Sequence, residues 1–231
     1  MSPVSPQFPT PGSCFVEATQ SQLHKTLGSA FRAPILGLED WRVSQNASDK
    51  MMERRGWIQP LCAATTTPEQ IAGLSIGTER IYIPGEFCRQ GDVLSAAAES
   101  ERLILLERGA FLAPNDIIRA VEKLGEAKGR VILVEAGSSF GYSDRVLDPR
   151  ALEVVADLGC PVALNINSLS KSIGAPYEHR PQWLADSKFD LAYVRTALAF
   201  RLHYLILPSN RELHPSALDL WMSEKRNSNH V

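Results

Sequence analysis

Short apolar runs recur along the chain, separated by more polar segments that are long enough to form helices. The pattern is clearest in residues 81–83, 103–106 and 131–134, which are typical of strands buried on both faces. Five further runs have a similar character: residues 14–17, 34–38, 58–63, 161–165 and 203–207. The pattern therefore predicts eight strands that alternate with helices.

Signals for helix starts and ends lie between these runs. Thr67 and Gln70 have the spacing of a capping box, and Asp148 stands directly before a proline at the start of another predicted helix. A single helix is predicted for residues 116–127, with Gly129 after its end. Its inner stripe is predicted to consist of Ile117, Ile118, Val121 and Leu124. Two later helical segments are predicted around residues 191–200 and 217–222.

Two α/β architectures fit this alternation: a single-domain (β/α)8 TIM barrel and an open, doubly wound sheet. The barrel is the simpler closure, because an open sheet of eight parallel strands leaves two edges to protect. The predicted barrel covers residues 13–222, between a proline-rich, flexible lead-in at 1–12 and a polar, flexible tail at 223–231. The 231 residues are slightly fewer than the roughly 250 typical of such barrels.

Composition and charge narrow the classes of function. A net charge of −2 gives no general electrostatic reason to bind nucleic acid or an anionic membrane. No apolar run approaches the roughly 20 residues of a membrane span, and the first residues lack the features of a secretory signal, so a cytoplasmic location is expected. The four cysteines are widely spaced and form no CxxC pair, which argues against a zinc knuckle or a disulfide framework.

Charged side chains stand where the predicted strands end, and an α/β barrel builds its pocket at the carboxyl ends of its strands. Glu107 and Arg108 follow the fifth strand, and Glu135 ends the sixth. Desolvation at such a place raises the pKa of a carboxyl group and makes it a candidate general acid or base. The alternative is that the carboxylates form structural salt bridges with Arg108 and Arg89. The sequence leaves both interpretations open.

Four segments of the chain, FCRQGD, RGAFLAP, SSFGY and LDPRAL, resemble 3-deoxy-D-manno-octulosonate-8-phosphate (KDO8P) synthase, within the wider family that includes the DAHP synthases. The order and spacing of these segments are specific, and weaker similarity extends from residue 12 to about residue 210. The resemblance implies a TIM barrel. It also implies descent from enzymes that condense phosphoenolpyruvate with a phosphosugar, often with a divalent metal.

The metal ligands implied by the resemblance are mostly missing. Cys14 falls at the family's metal-binding cysteine, although a lone cysteine at a strand end is also a common core residue. Ser168 stands at the family's histidine position and Leu207 at its glutamate position. One thiolate without imidazole or carboxylate partners does not hold a divalent ion tightly. We therefore expect no metal site and no cofactor.

The cations of the family's phosphoenolpyruvate site are also largely replaced. The second strand ends in Glu39 and Asp40 where the family has a lysine, and Ala136 stands at an arginine position. Arg108 keeps a cation in the place of a lysine. Three further polar positions of the family are occupied by Ala64, Thr66 and Ala110. Because such a pocket would repel phosphoenolpyruvate, the parent reaction is not expected.

Other family features are retained. Arg89 and Gln90 match the family, in which this arginine reaches the sugar phosphate across a subunit boundary, so the resemblance implies a homo-oligomer, a dimer or tetramer. Arg89 is alternatively an ion-pair partner within an interface. Tyr142 also matches, as either a substrate contact or a packing residue. Asn165 ends the seventh strand, Asn167 and Ser168 follow it, and all three are candidate substrate-binding residues.

The leading hypothesis from the sequence is a repurposed, metal-independent biosynthetic barrel that acts on a small molecule. Its reaction would be a cyclisation, isomerisation, elimination or aldol-type step, and its catalytic residues Glu107, Arg108 and Glu135. The alternative is a non-catalytic pseudoenzyme that binds or assembles, with a pocket filled by side chains such as Ile166 and Leu207. A third hypothesis, an active synthase with relocated residues, has the least support.

Overall fold

The computed structural model describes residues 14–18, 32–36, 61–74, 78–140, 142–169, 186–207 and 213–228. The strands are β1 (Cys14–Ala18), β2 (Arg32–Leu36), β3 (Leu61–Ala64), β4 (Thr78–Ile83), β5 (Leu103–Glu107), β6 (Val131–Glu135), β7 (Ser138–Phe140), β8 (Tyr142–Val146), β9 (Val162–Asn165) and β10 (Tyr204–Leu207). The α-helices are α1 (Pro68–Ala72), α2 (Gly91–Glu99), α3 (Ile117–Lys123), α4 (Pro149–Ala156), α5 (Ile166–Leu169), α6 (Lys188–Ala199) and α7 (Pro215–Ser228). Short 3-10 turns cover Gly85–Phe87, Pro114–Asp116 and Gly125–Arg130.

Six strands form a parallel sheet that is curled into a half-barrel, with helices in the connections. Their order is β3, β4, β5, β6, β9, β10. The strands β1 and β2 pair in parallel with each other, and they also pair with β10 and β3, the two edges of this sheet. The predicted α/β class is confirmed, and each of the eight predicted strands overlaps a strand of the parallel sheet.

The two faces of the curled sheet bury different residues, because successive side chains of a strand point to opposite faces. The concave face carries a cluster without helical residues: Cys62, Tyr82, Leu103, Leu105, Ile132, Val134, Ala163, Tyr204 and Ile206. The convex face carries the alternate positions, such as Ile104, Leu106 and Leu133, and packs against α2, α3, α4, α6 and α7. Each large apolar side chain buried in this way contributes roughly 1.5–3 kcal/mol relative to an exposed one.

Both predicted capped helix starts are confirmed. The Thr67 hydroxyl accepts a hydrogen bond from Gln70 N at 3.3 Å, and Gln70 Oε1 accepts one from Thr66 N at 2.7 Å. At the start of α4, the Asp148 carboxylate accepts from Arg150 N at 3.0 Å. These bonds satisfy backbone N–H groups that have no partner inside a helix.

Other predicted helix bounds need correction. The prediction of one helix over residues 116–127 is wrong: α3 ends at Lys123, and Gly125 takes a φ of +55° that begins a 3-10 turn. Ile118, predicted on the inner stripe, is 38% exposed, and Ala120 is buried on that side instead. Helix α7 continues to Ser228, beyond residue 222, where the flexible tail is predicted to begin. The predicted lead-in at 1–12 lies outside the described residues.

An antiparallel hairpin, β7–β8, directly follows β6 where the sequence predicts only a loop. Gly137 makes the turn out of β6 with a φ of +85°, a conformation that favours glycine. Ser139 N then donates a hydrogen bond to Ala110 O at 2.9 Å, which fastens the hairpin to the segment after β5. The hairpin therefore lies at the carboxyl ends of the strands. No helix within the described ranges is long and apolar enough to cross a membrane.

A candidate site at the carboxyl ends of the strands

Glu107 is the centre of a buried polar network at the end of the concave face. The Tyr82 hydroxyl donates a hydrogen bond to Glu107 Oε2, and Arg145 Nη1 donates one to Glu107 Oε1 at 3.0 Å. Asn165 Nδ2 donates to the Tyr82 hydroxyl oxygen at 3.1 Å, and Asn165 Oδ1 accepts from Ser168 N at 2.9 Å. The strands β4, β5 and β9 therefore each supply one member, and β8 brings the arginine.

Burial shifts the protonation of Glu107. Glu107 is 4% exposed, and desolvation raises the pKa of its carboxyl group above the ordinary value of 4.5. The charge of Arg145 and the hydrogen bond from Tyr82 oppose that shift without cancelling it, while the nearby Glu86 adds to it. Glu107 therefore takes up a proton at a higher pH than an exposed glutamate, as a general acid or base requires.

Gly85 and Gly109 allow two backbone segments to approach each other closely beside Glu107. A Cβ atom on Gly85 would lie 2.9 Å from Gly109 Cα and 3.0 Å from Glu107 Oε1. A side chain at residue 85 would therefore push against either the backbone or the carboxylate. The turn after β4 therefore lies directly against the Glu107 carboxylate.

Arg108 and Glu135 form a separate, fully buried ion pair. Arg108 Nε and Nη2 each donate a hydrogen bond of 2.7 Å to the Glu135 carboxylate, and the two side chains are 2% and 0% exposed. The remaining donors of Arg108 bind the carbonyl oxygens of Gly109 and Leu112 and the hydroxyl of Ser138. All five N–H groups of the guanidinium are thus occupied. This pair has the form of a structural salt bridge.

The structure therefore separates the three predicted catalytic residues. Glu107 and Arg108 are consecutive at the end of β5, and consecutive side chains point to opposite faces. Glu107 joins the concave network, whereas Arg108 and Glu135 bind each other and the backbone next to them. The sequence left two interpretations open, a general acid or base and a structural salt bridge. For Glu135 the structure shows the salt bridge, with Arg108. Neither carboxylate has an ion pair with Arg89 in the described part of the chain.

The predicted substrate-binding residues are dispersed. Asn167 and Ser168, predicted to follow the seventh strand, are buried in the short helix α5. Arg89 and Gln90 are exposed after the turn that follows β4. Tyr142 lies in β8, and its side chain is outside what the structure describes. A cleft of about 320 Å³ near Arg89 is lined also by Leu112, Asp116, Arg119, Ala120 and Lys123.

Sequence reasoning missed two members of the network, Tyr82 and Arg145. Tyr82 lies inside an apolar run and looks like a core residue, although the hydroxyl of a buried tyrosine usually needs a partner. Arg145 lies in the unpredicted hairpin, 38 residues after its partner Glu107. The one available signal was Tyr82 itself, because a tyrosine hydroxyl inside a buried strand needs a hydrogen-bond partner.

The described side chains do not fit the family's metal site. Leu207 at the glutamate position is an apolar side chain with 3% exposure, and it offers no ligand atom. Ser168 at the histidine position offers only a neutral hydroxyl. The side chain of Cys14 lies outside the described residues. Over the described ranges, no three histidine, cysteine or acidic side chains come together as metal ligands would.

Several curated relatives of the chain carry the name 2-dehydro-3-deoxyphosphooctonate aldolase, which denotes KDO8P synthase. The Syntrophotalea carbinolica protein is 34% identical over 150 residues, which are 64% of this chain and 52% of that protein. The Brucella anthropi protein is 31% identical over 154 residues, 66% of this chain and 54% of that protein. The Agrobacterium fabrum protein is 41% identical over 104 residues, 45% of this chain and 37% of that protein.

The extent of these matches is limited. The chain spans about half the length of the curated relatives it matches. No protein-family model matches the chain.

Proposed function

Starting from the homology of this chain to the KDO8P synthases, we propose that it is a repurposed barrel enzyme that works without the parent's metal and phosphoenolpyruvate. It would catalyse a proton-transfer step on a small molecule, as in a cyclisation, isomerisation, elimination or aldol-type reaction. The observation that carries the proposal is the buried Glu107 carboxyl group, held by Tyr82 and Arg145 at the end of the concave face.

Glu107 is the proposed general acid or base. In its ionised form the carboxylate takes a proton from the substrate, while Arg145 balances its negative charge. In its protonated form it returns the proton, and burial favours this neutral form. Asn165 donates to the Tyr82 hydroxyl, and Tyr82 in turn donates to Glu107, so both residues fix the position of the carboxyl group. Such proton transfer typically contributes about 10²–10⁴-fold in rate.

The environment of Arg108 supports the loss of the parent reaction. Arg108 is the cation kept in the place of a family lysine, yet its five N–H groups bind Glu135, Ser138 and backbone carbonyl oxygens. It therefore has no donor left for a phosphate or a phosphoenol carboxylate. Ala136 contributes no cation either.

We further propose that the scaffold is a complete (β/α)8 TIM barrel and that the chain is a homo-oligomer. The pairing of β1 and β2 with the edges of the six-stranded sheet supports the barrel, while the segments 19–31 and 37–60 that follow them lie outside the described residues. Exposure of Arg89 is compatible with a contact to a second subunit. Analytical ultracentrifugation of the chain, with the variant Arg89→Ala, would test the oligomer.

A non-catalytic binding role is the alternative, and the dense packing of the concave face favours it. Tyr82, Leu105 and Ile206 of that face are each 0% exposed. Ile166 and Leu207, which the sequence suggested as pocket-filling side chains, are buried in the cluster on the convex face instead. A pseudoenzyme would keep the concave face filled, whereas an enzyme must let a substrate reach Glu107. The two hypotheses therefore differ in whether Glu107 exchanges protons with a bound molecule.

Deuterium exchange tests the proposal without a known product. The chain would be incubated in D2O with a panel of small aldehydes, ketones and keto acids, and exchange of their C–H groups would be followed by NMR. We expect catalysed exchange that Glu107→Gln lowers at least about 100-fold. The variant Glu122→Gln changes an exposed helical carboxylate and should leave the rate unchanged.

Two results would refute the proposed function. Absence of catalysed exchange across the panel would favour the pseudoenzyme. Turnover of phosphoenolpyruvate with an aldose phosphate, or tight calorimetric binding of both phosphoenolpyruvate and a divalent metal, would restore the parent activity.

A further inference from the structure

Arg108 and Arg145 both lie at the carboxyl ends of the strands, but they use their donors differently. All five N–H groups of Arg108 are occupied by neighbouring groups. Within the described ranges, the hydrogen bonds of Arg145 come from Nη1, to Glu107 Oε1 at 3.0 Å and to Ala136 O at 3.4 Å. Among the described residues, Nε of Arg145 has no acceptor, and Nη2 has only a loose ion pair with Glu86 at 3.8 Å.

The two nitrogens of Arg145 without a hydrogen-bond acceptor in the described part of the chain, Nε and Nη2, lie on one edge of its guanidinium. Nε and Nη2 form a planar fork that matches the two oxygens of a carboxylate. Arg108 provides an internal example, since its Nε and Nη2 hold Glu135 at 2.7 Å each. No described side chain occupies the fork of Arg145 in this way, and the arginine side chain is 16% exposed, so it reaches the surface beside Glu107.

We propose that Arg145 anchors the carboxylate group of a small-molecule ligand through Nε and Nη2. The proposal rests on the proposed function and deepens it by assigning the substrate class, a small carboxylate, to the same site. Glu86 is the group that the ligand displaces. Its side chain is 66% exposed, so it can move into water once its loose ion pair with Arg145 is broken.

Charge balance selects a monoanionic carboxylate over a phosphate. Arg145 already faces the carboxylates of Glu107 and Glu86. A phosphate dianion would bring two negative charges to this place, whereas a carboxylate brings one and can replace that of Glu86. The ligand would thereby hold its reacting carbon close to Glu107, because Arg145 contacts Glu107 through its other terminal nitrogen.

Binding titrations of the whole chain test the anchor independently of catalysis. The probe would be pyruvate, with the neutral pyruvamide and inorganic phosphate as comparisons, followed by calorimetry and by the Arg Nε–H NMR signals. We expect pyruvate to bind and to move the Arg145 signal, and pyruvamide and phosphate to bind at least about tenfold more weakly, a difference of about 1.4 kcal/mol.

Variants give the sharper test. Glu86→Gln removes the competing carboxylate, and at an exposed site it should tighten pyruvate binding about three- to tenfold. Arg145→Gln should abolish binding, and Arg145→Lys, which keeps the charge without the fork, should weaken it about tenfold. Glu122→Gln is the matched control and should bind like the unchanged chain. Equal binding by Glu86→Gln and the control, or full binding by Arg145→Gln, would overturn the proposal.

The anchor and the acid/base role fail in different ways. Glu107→Gln removes a negative charge beside Arg145, so it should bind pyruvate at least as tightly while losing proton exchange. If this variant still catalyses exchange, the proposed function fails and the anchor stands. If pyruvate binding does not depend on Arg145 but proton exchange depends on Glu107, the anchor fails and the proposed function stands.

Discussion

Replacing Arg108 by methionine tests whether the Arg108–Glu135 pair is structural. The substitution leaves the Glu135 carboxylate at 0% exposure with one described donor, Gly137 N at 2.7 Å. Breaking a buried ion pair from one side typically costs about 3–5 kcal/mol, because the remaining charge stays desolvated. For a chain of this size that cost lowers the melting temperature by roughly 6–20 °C, at about 2–4 °C per kcal/mol.

Calorimetry on three variants measures this effect. Arg108→Met alone should show the full loss, and the double variant Arg108→Met/Glu135→Leu should recover most of it, because no charge remains buried. Arg150→Met removes an ion pair whose arginine is 90% exposed, and it should leave the melting temperature unchanged. An unchanged melting temperature for Arg108→Met, together with loss of ligand binding, would contradict the assignment and return Arg108 to the pocket.

Three further predictions follow from single residues. Because burial raises the pKa of Glu107 in the folded state, its contribution to stability is complete below pH 4.5 and falls as pH rises through the folded pKa. Urea unfolding at several pH values should measure this as a difference in the free energy of unfolding between the unchanged chain and Glu107→Gln. As pH rises, the unchanged chain should become less stable relative to the variant. A difference that stays constant with pH would contradict the prediction. Burial also raises the pKa of the Cys62 thiol to about 12, which makes the thiol unreactive in the folded chain. Mass spectrometry should find Cys62 unlabelled by iodoacetamide in the native chain and labelled in urea. Labelling in the native chain would contradict its burial. Gly137→Ala places a Cβ atom 2.8 Å from Leu169 Cδ2 at a φ of +85°. Calorimetry should show that this variant loses at least about 1 kcal/mol of the free energy of unfolding. The control Gly129→Ala, whose Cβ atom meets open space, should show no loss. Equal melting temperatures for these two glycine variants would contradict the strain.

Local sequence patterns were sufficient to locate the strands and two helix starts. An apolar run specifies a buried strand wherever it packs, and Thr67 and Asp148 cap their helices through bonds to residues two or three positions away. The hairpin β7–β8 was not predictable in this way. Its short, polar strands depend on Gly137 and on the hydrogen bond from Ser139 to Ala110, which lies in another connection.

The sequence also determined that Glu107 and Arg108 would face opposite sides of β5, since a strand has a period of two. It did not determine which of them faces the pocket, because β5 is apolar at every position before Glu107 and shows no alternation. Only the tertiary structure assigned Glu107 to the concave face and brought Arg145 to it from the hairpin. The ion pair between Glu107 and Arg145 forms because tertiary packing brings together segments that are distant in the sequence, so a local sequence pattern cannot predict it.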